Sequence, residues 1–165
     1  MNHILRLCTT LVFFFFVFTS CETDPCENIS CDKGVCDAVS GKCICSRGYQ
    51  ADDNGICTIL WTAKFANSYA VSDSCTGPNA GTHHYNSTIT AIDAENLSLS
   101  NFGNTGRSIP AKHTNSTSFE INLSSHDTIF SGTGSLVDTT LIVNYMIHDT
   151  TNHRIDTCTA TFNPL

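Results

Sequence analysis

Residues 85–92 read YNSTITAI, and their alternation decides the fold. Tyr85, Ser87, Ile89 and Ala91 fall on one side of an extended chain, and Asn86, Thr88, Thr90 and Ile92 on the other. A period of two is the mark of a half-buried strand. TTLIVNYMIH at 139–148 repeats it, with Leu141, Val143, Tyr145 and Ile147 in phase. Outward from these two stretches, further short runs stand between Gly, Asn, Asp or Pro: ILWTAKFA from 59, SYAVSDSC from 68, NLSLSNF from 96, RSIPAKH from 107, SFEINLS from 118, TIFSGTGSL from 128 and RIDTCTATF from 154. No amphipathic helix of useful length interrupts them. Eight or nine strands at this spacing predict an all-β domain over residues 58–165, an antiparallel up-and-down β-barrel with a β-sandwich as the alternative. Cys75 ends an early strand and Cys158 lies in the last. A bridge between them would tie the beginning of the sheet to its end, as closure of a barrel would bring about. By loop entropy it contributes about 4 kcal/mol.

The chain upstream of residue 58 has a different character. It opens MNHILRLCTTLVFFFFVFTSC, with Arg6, an apolar stretch from Leu11 to Phe18 and the small polar pair Thr19-Ser20. That is the plan of a secretory leader over residues 1–20. Its apolar core is too short for a membrane span, which takes about 20 residues. Export is therefore expected, without a protein span. Ten cysteines are present; Cys8 leaves with the leader, and nine is an odd number for a secreted chain. Removing Cys21 by modification restores an even set. The whole chain carries 8 basic and 15 acidic residues. No run of Lys or Arg forms a phosphate-binding face, so no nucleic-acid partner is expected.

FTSC at 18–21 resembles the lipobox of bacterial lipoproteins, and the acidic CETD that follows resembles the surface-export signal of Bacteroidetes-type lipoproteins. The resemblance implies lipidation (palmitate-type acylation) of Cys21, a tether over residues 21–25, and a location at the outer membrane or cell surface; secretion without a lipid is the alternative. Two or more acyl chains would anchor the chain stably.

From residue 26 the sequence is CENISCDKGVCDAVSGKCICSRGYQADDNGIC, with six cysteines in a segment too short to bury a core, so disulfides must hold it. Spacing alone leaves 15 connectivities open. Cys43-Ile44-Cys45 followed by RGYQ and a final cysteine resembles an EGF-like module over residues 26–57. That likeness implies Cys26–Cys36, Cys31–Cys43 and Cys45–Cys57. Gly48-Tyr49 sits where the family has Gly and an aromatic, and Asn54-Gly55 predicts a type I′ turn. Calcium is not expected: Glu22 and Asp24 match the calcium-binding members, but Pro25 and Ala38 replace ligands, with Asp37 only adjacent. Asp52-Asp53 reads as a solvated turn. Further along, Y-x-V-x-x-x-C, NFG, GTG and C-T-A-T-F are similar to an uncharacterised domain of Bacteroidetes-type lipoproteins, which names no activity.

Catalytic signatures are absent from the sequence: no G-x-S-x-G, no P-loop, no Rossmann fingerprint. No catalytic residue, metal site or cofactor is expected. His83-His84 reads as part of an exposed Gly-rich loop, and His113, His126, His148 and His153 as solvated residues near strand ends. SGTGS at 131–135 reads as a strand kink or bulge. Asp93, Glu95 and Glu120 are the carboxylates a glycoside hydrolase would need, in a chain without cleft-forming insertions. Five N-x-[ST] sequons lie at Asn28, Asn86, Asn96, Asn115 and Asn122. Asp-Thr pairs at Thr128, Thr139 and Thr150 resemble the O-glycosylation motif of Bacteroidetes.

The leading expectation is a non-enzymatic, surface-anchored lipoprotein in which the EGF-like module is a spacer. The β-domain then contacts an unknown protein or glycan. The alternative is a carrier holding a small apolar ligand inside a lipocalin-like barrel, with Trp61, Phe65, Phe119 and Phe130 lining a cavity or filling a core. A cavity of several hundred Å³ favours the carrier; a filled barrel with an exposed aromatic patch favours adhesion. A secreted eukaryotic EGF-like protein and a hydrolase come after these.

Overall fold

The structure, a computed structural model, describes residues 24–165; the expected leader over residues 1–20, Cys21 and Glu22 lie outside the described residues. The N-terminal part is a disulfide-rich unit of two small hairpins. Gly34–Cys36 (β1) pairs with Cys43–Cys45 (β2), and Tyr49–Ala51 (β3) with Cys57–Leu60 (β4), both antiparallel. Three bridges join Cys26 to Cys36, Cys31 to Cys43 and Cys45 to Cys57. The β3–β4 turn is not the type I′ form that Asn54-Gly55 suggested. Gly55 alone has a positive φ, of 80°, and its N–H donates to the Asp52 carbonyl at 2.9 Å. The Asp52 carboxylate accepts the N–H groups of Asn54 (2.9 Å) and Ile56 (3.0 Å). That local capping favours a type I turn completed by a left-handed glycine.

A 3₁₀ turn, Trp61–Lys64, follows β4 directly. The run ILWTAKFA is thus no barrel strand: its start belongs to β4 and its middle is helical. The remaining strands are Asn67–Thr76 (β5), Gly81–Ala91 (β6), Asn96–Leu99 (β7), Ile109–Asn115 (β8), Ser118–Ser125 (β9), Thr128–Val137 (β10), Thr140–Asp149 (β11) and Arg154–Pro164 (β12). Each pairs antiparallel with the next, and β12 pairs with β5, closing an eight-stranded up-and-down barrel. The bridge Cys75–Cys158 lies across the closing seam, where the two residues are opposite each other in register. Four disulfides are characteristic of a chain that folds in an oxidising, extracytoplasmic compartment.

The alternation seen in the sequence sorts side chains between inside and outside. Tyr69, Val71, Ile89, Leu97, Leu99, Ile109, Ala111, Phe119, Ile121, Phe130, Leu141, Val143, Tyr145, Ala160 and Phe162 are buried in one core. The outer face carries Asn86, Thr88, Thr90, Thr133, Ser135, Asn144, Thr157 and Thr159, all exposed. This polarity is the reverse of a membrane barrel, whose lipid-facing band is apolar. The outside of this barrel is built for water.

Gly132 and Gly134 sit in a β10 whose register is unbroken on both sides, so SGTGS is neither kink nor bulge. Its glycines make room instead. A Cβ on Gly134 would stand 2.6 Å from two ring carbons of Phe119, and one on Gly132 2.6 Å from the Tyr145 Cβ. The bulge lies in β8, where the register slips between His113 and Asn115.

In an up-and-down barrel the connections alternate between two ends. The 3₁₀ turn, residues 92–95 and 116–117, and the β10–β11 turn lie at one end. Residues 77–80, 100–108 and 126–127, and the β11–β12 turn, lie at the other. The disulfide-rich unit closes the first end. Arg47 donates to the His113 carbonyl at 3.0 Å and pairs with Glu95 at 2.9 Å. Trp61 N–H donates to the Gly48 carbonyl at 2.9 Å. Gly48, at φ 86°, is pressed on Ala94 so closely that a Cβ would lie 2.8 Å from that of Ala94. Beneath these contacts His113 is fully buried, against Phe65 (ring centroids 4.7 Å apart) and Trp61 (6.3 Å). It is not the solvated residue the sequence suggested: Ile109, Ala111 and His113 share the inward phase. Phe65 and Phe119 fill core, and Trp61 is half-buried at the junction.

Candidate functional site

At the end away from the disulfide-rich unit, the inward phase of two strands turns polar. In β5 the inward series runs Tyr69, Val71, Asp73, Cys75; in β12 it runs Phe162, Ala160, Cys158, Asp156. Asp73 and Asp156 are 1% and 5% exposed. Both line a cavity of about 460 Å³ at the mouth of the barrel, together with the Cys75–Cys158 bridge, Phe130, Tyr145 and Ile147. Arg107, Asn79, His83 and Thr128 also line it.

The loop between β7 and β8 shapes the floor and rim. Phe102 enters the barrel, fully buried, with its ring 4.5 Å from that of Tyr145 and 6.4 Å from that of Phe130. Next to it Gly103, at φ 60°, turns its N–H onto the Tyr85 hydroxyl oxygen at 3.2 Å. Tyr85 in turn donates to Asp73 Oδ2 at 3.1 Å, and Tyr145 donates to the same oxygen. Burial, followed by the nearby Asp73 charge and its hydrogen bond, raises the Tyr85 hydroxyl far above its ordinary pKa of 10.0. Burial, followed by the hydrogen bond to Asp73, does the same for Tyr145. Both phenols therefore stay protonated donors at every physiological pH.

Asp73 Oδ1 is the exception in this network. Its one recorded partner is Cys75 Sγ at 3.7 Å, and that sulfur is bonded to Cys158 and has no hydrogen to donate. Among the described residues the oxygen has no donor. Asp156, by contrast, is capped by a single residue: Asn79 N–H donates to Oδ1 at 2.8 Å and its Nδ2 to Oδ2 at 2.7 Å. The cluster of Asp73, Cys75 and Cys158 has the element types of a metal site, but two of the three are joined to each other and offer no thiolate.

Of the residues singled out in the sequence, Phe130 and Thr128 reach this cavity. His83 reaches it too, from β6 and not from a loop; its Nε2 lies 3.4 Å from the Asn79 carbonyl. His84 is exposed on the outer face of β6, beside a second hollow of about 470 Å³ with Ala70, Ser72, Asn86 and Asn163. That hollow holds no buried charge. Asp93 caps the β6–β7 turn through Asn96, Glu95 belongs to the junction, and Glu120 is exposed on β9; they form no catalytic pair. Asp37 caps its turn through Ser40 at 2.5 Å, and Ala38 beside it is exposed. Thr139 is exposed and Thr150 half-buried, each in a turn. Asn28, Asn86, Asn115 and Asn122 are exposed, while Asn96 is half-buried on Asp93.

Sequence reasoning missed Asp73, Asp156, Tyr85 and Tyr145 as a group. The signal was present: an aspartate in phase with apolar inward residues, twice, two positions from a cysteine in each of the seam strands.

No family model matches this chain, and no curated protein matches it. Solved structures resemble it in part, among them the following three. A redesigned β-barrel is 9% identical, over 63% of this chain and 94% of its own, with a TM-score of 0.45. EF1p2_mFAP2b bound to DFHBI is 10% identical, over 62% and 95%, at 0.46. A structural-genomics protein of unknown function from Bacteroides ovatus is 12% identical, over 61% of this chain and 41% of its own, at 0.44.

Proposed function

We propose that this chain is an exported, non-enzymatic binding protein that takes a small ligand into the mouth of its barrel. The observation that carries the reading is the cavity of about 460 Å³ lined by Asp73 and Asp156, both buried. Small-ligand sites have this size and a few placed polar groups; here Phe130, Tyr145 and Ile147 stand among mostly polar lining residues. A barrel filled for stability alone has no use for a buried carboxylate beside a void. The exposed large hydrophobic residues are aliphatic, Ile29, Val35, Val39, Ile44, Ile92, Val137, Ile155 and Leu165, so no aromatic patch favours the adhesion reading among the described residues. The polar floor changes the ligand from the wholly apolar one of a lipocalin-like carrier to one with a polar head.

The disulfide-rich unit acts as a spacer. It closes the opposite end of the barrel, so a lipid on Cys21 would hold the mouth facing away from the membrane. The test is thermal unfolding of the mature protein with a charge-balanced set of small fragments at millimolar concentration. Binders raise Tm by mass action. In Thr128→Trp, whose indole covers the mouth, their effect disappears while the variant unfolds cooperatively without ligand. Unchanged shifts in that variant, or a set with no binder, would overturn the proposal.

A further inference from the structure

We infer that the ligand of the barrel mouth is an organic cation, an ammonium compound with a small apolar body whose N–H donates to Asp73 Oδ1. The inference rests on the binding function proposed above and specifies its ligand.

The argument starts from charge. Asp73 lies 1% exposed at the floor, and a buried carboxylate demands a compensating charge or a full set of donors. It has neither. The ion pairs among the described residues join Lys33 to Asp32 and both Arg47 and Lys112 to Glu95; none reaches the cavity. Tyr85 and Tyr145 both donate to Oδ2, so that oxygen is the acceptor of both phenols, and Oδ1 is left without a donor. Asp156 is satisfied by the neutral donors of Asn79, so its charge also goes uncompensated. Against two buried carboxylates the cavity sets Arg107, exposed at the rim, and His83, exposed on β6. The potential inside is therefore negative where water is least able to screen it, and an anion is excluded from the floor.

A metal ion is the other cation such a floor invites. A hard ion needs several oxygens, and beside Asp73 Oδ1 stand the bridged sulfurs of Cys75 and Cys158. An ammonium needs only one good acceptor and benefits from aromatic faces. Phe130 and Tyr145 are the aromatic residues of the cavity lining, and Ile147 adds apolar surface. One open acceptor, two aromatic rings and an uncompensated negative field together describe an amine site.

The test compares three probes with one aromatic body: 2-phenylethylamine, 2-phenylethanol and phenylacetate, titrated calorimetrically into the mature protein at pH 7 and low salt. The amine binds at least about tenfold tighter than the alcohol, since a charged hydrogen bond is the stronger one. The acid binds weakest. Asp73→Asn lowers the affinity for the amine about tenfold or more and removes most of its preference over the alcohol. The wild-type ranking alone decides the matter should that variant fail to fold. Alcohol or acid binding as tightly as the amine would overturn the cation and leave the small-ligand site standing. No binding by any of the three would also overturn the cation; a fragment set with no binder would remove the site itself.

Discussion

Replacing Gly134 by alanine tests whether barrel packing sets the glycines of β10. Gly134 lies opposite Phe119 in the β9–β10 ladder, and its backbone is not in the left-handed region, so an L-residue is allowed there by φ. The obstacle is the Phe119 ring, whose Cε1 and Cε2 would stand 2.6 Å from the new Cβ. The ring has nowhere to go: Phe65 packs edge-on at 5.6 Å between centroids and His113 at 6.3 Å, and all three side chains are fully buried. Overpacking of this kind costs about 1–3 kcal/mol. Removing a glycine from the unfolded chain returns about 0.4–1 kcal/mol. The net expectation is a loss of about 1–2 kcal/mol, read from urea unfolding followed by Trp61 fluorescence. Phe119→Ala alone should cost about 3–5 kcal/mol. In the double variant the clash has vanished, so the second substitution should cost nothing further. A Gly134→Ala variant as stable as wild type, or single effects that add in the double variant, would refute the packing argument.

The seam bridge closes a loop with a sequence separation of 83 residues; replacing Cys75 and Cys158 by alanine should cost about 4.5 kcal/mol on the chain-entropy scale, and a loss below about 1 kcal/mol in chemical denaturation would contradict it. Burial holds the His113 imidazole below its ordinary 6.5, against the opposing hydrogen bonds to the carbonyls of Asn115 and Ser118 and the nearby Glu95 charge. The unfolded imidazole takes a proton below about pH 6.5 while the folded one resists, so wild type should lose stability as pH falls from 7 towards 5; His113→Gln should be flat over that window, and parallel curves would refute this. Finally, detergent-extracted protein should yield an N-terminal peptide whose mass carries a diacylglyceryl or triacyl adduct on Cys21; an unmodified Cys21 would remove the anchor and leave a secreted protein.

The barrel was legible because strand phase is a local property. YNSTITAI and TTLIVNYMIH carry their inside and outside in every second residue, and burial follows that phase through β6 and β11. Closure was legible in Cys75 and Cys158, since these two residues mark the seam. Elements set by context were not legible. ILWTAKFA alternates well enough to read as a strand, yet Trp61 N–H is taken by the Gly48 carbonyl, and the segment closes the end of the barrel as a 3₁₀ turn. Asn54-Gly55 favours one turn, and the Asp52 carboxylate two residues earlier selects another. The glycines of SGTGS could mark a bulge or a ring's landing place, and only the position of Phe119 across the ladder distinguishes the two. The site itself gathers residues from β5, β6, β10, β11, β12 and the β5–β6 and β7–β8 loops. Each is ordinary alone; closure of the barrel puts Tyr85 and Tyr145 on one oxygen of Asp73.

The central claim, a ligand seat at the mouth opposite the disulfide-rich unit, is tested most directly by chemical-shift mapping. Isotope-labelled mature protein titrated with 2-phenylethylamine should show its largest changes at Asp73, Gly103, Phe130 and Tyr145, with Arg47, Gly48 and His113 at the far end unmoved. Changes confined to the outer strand faces, or centred on the junction with the disulfide-rich unit, would contradict the account.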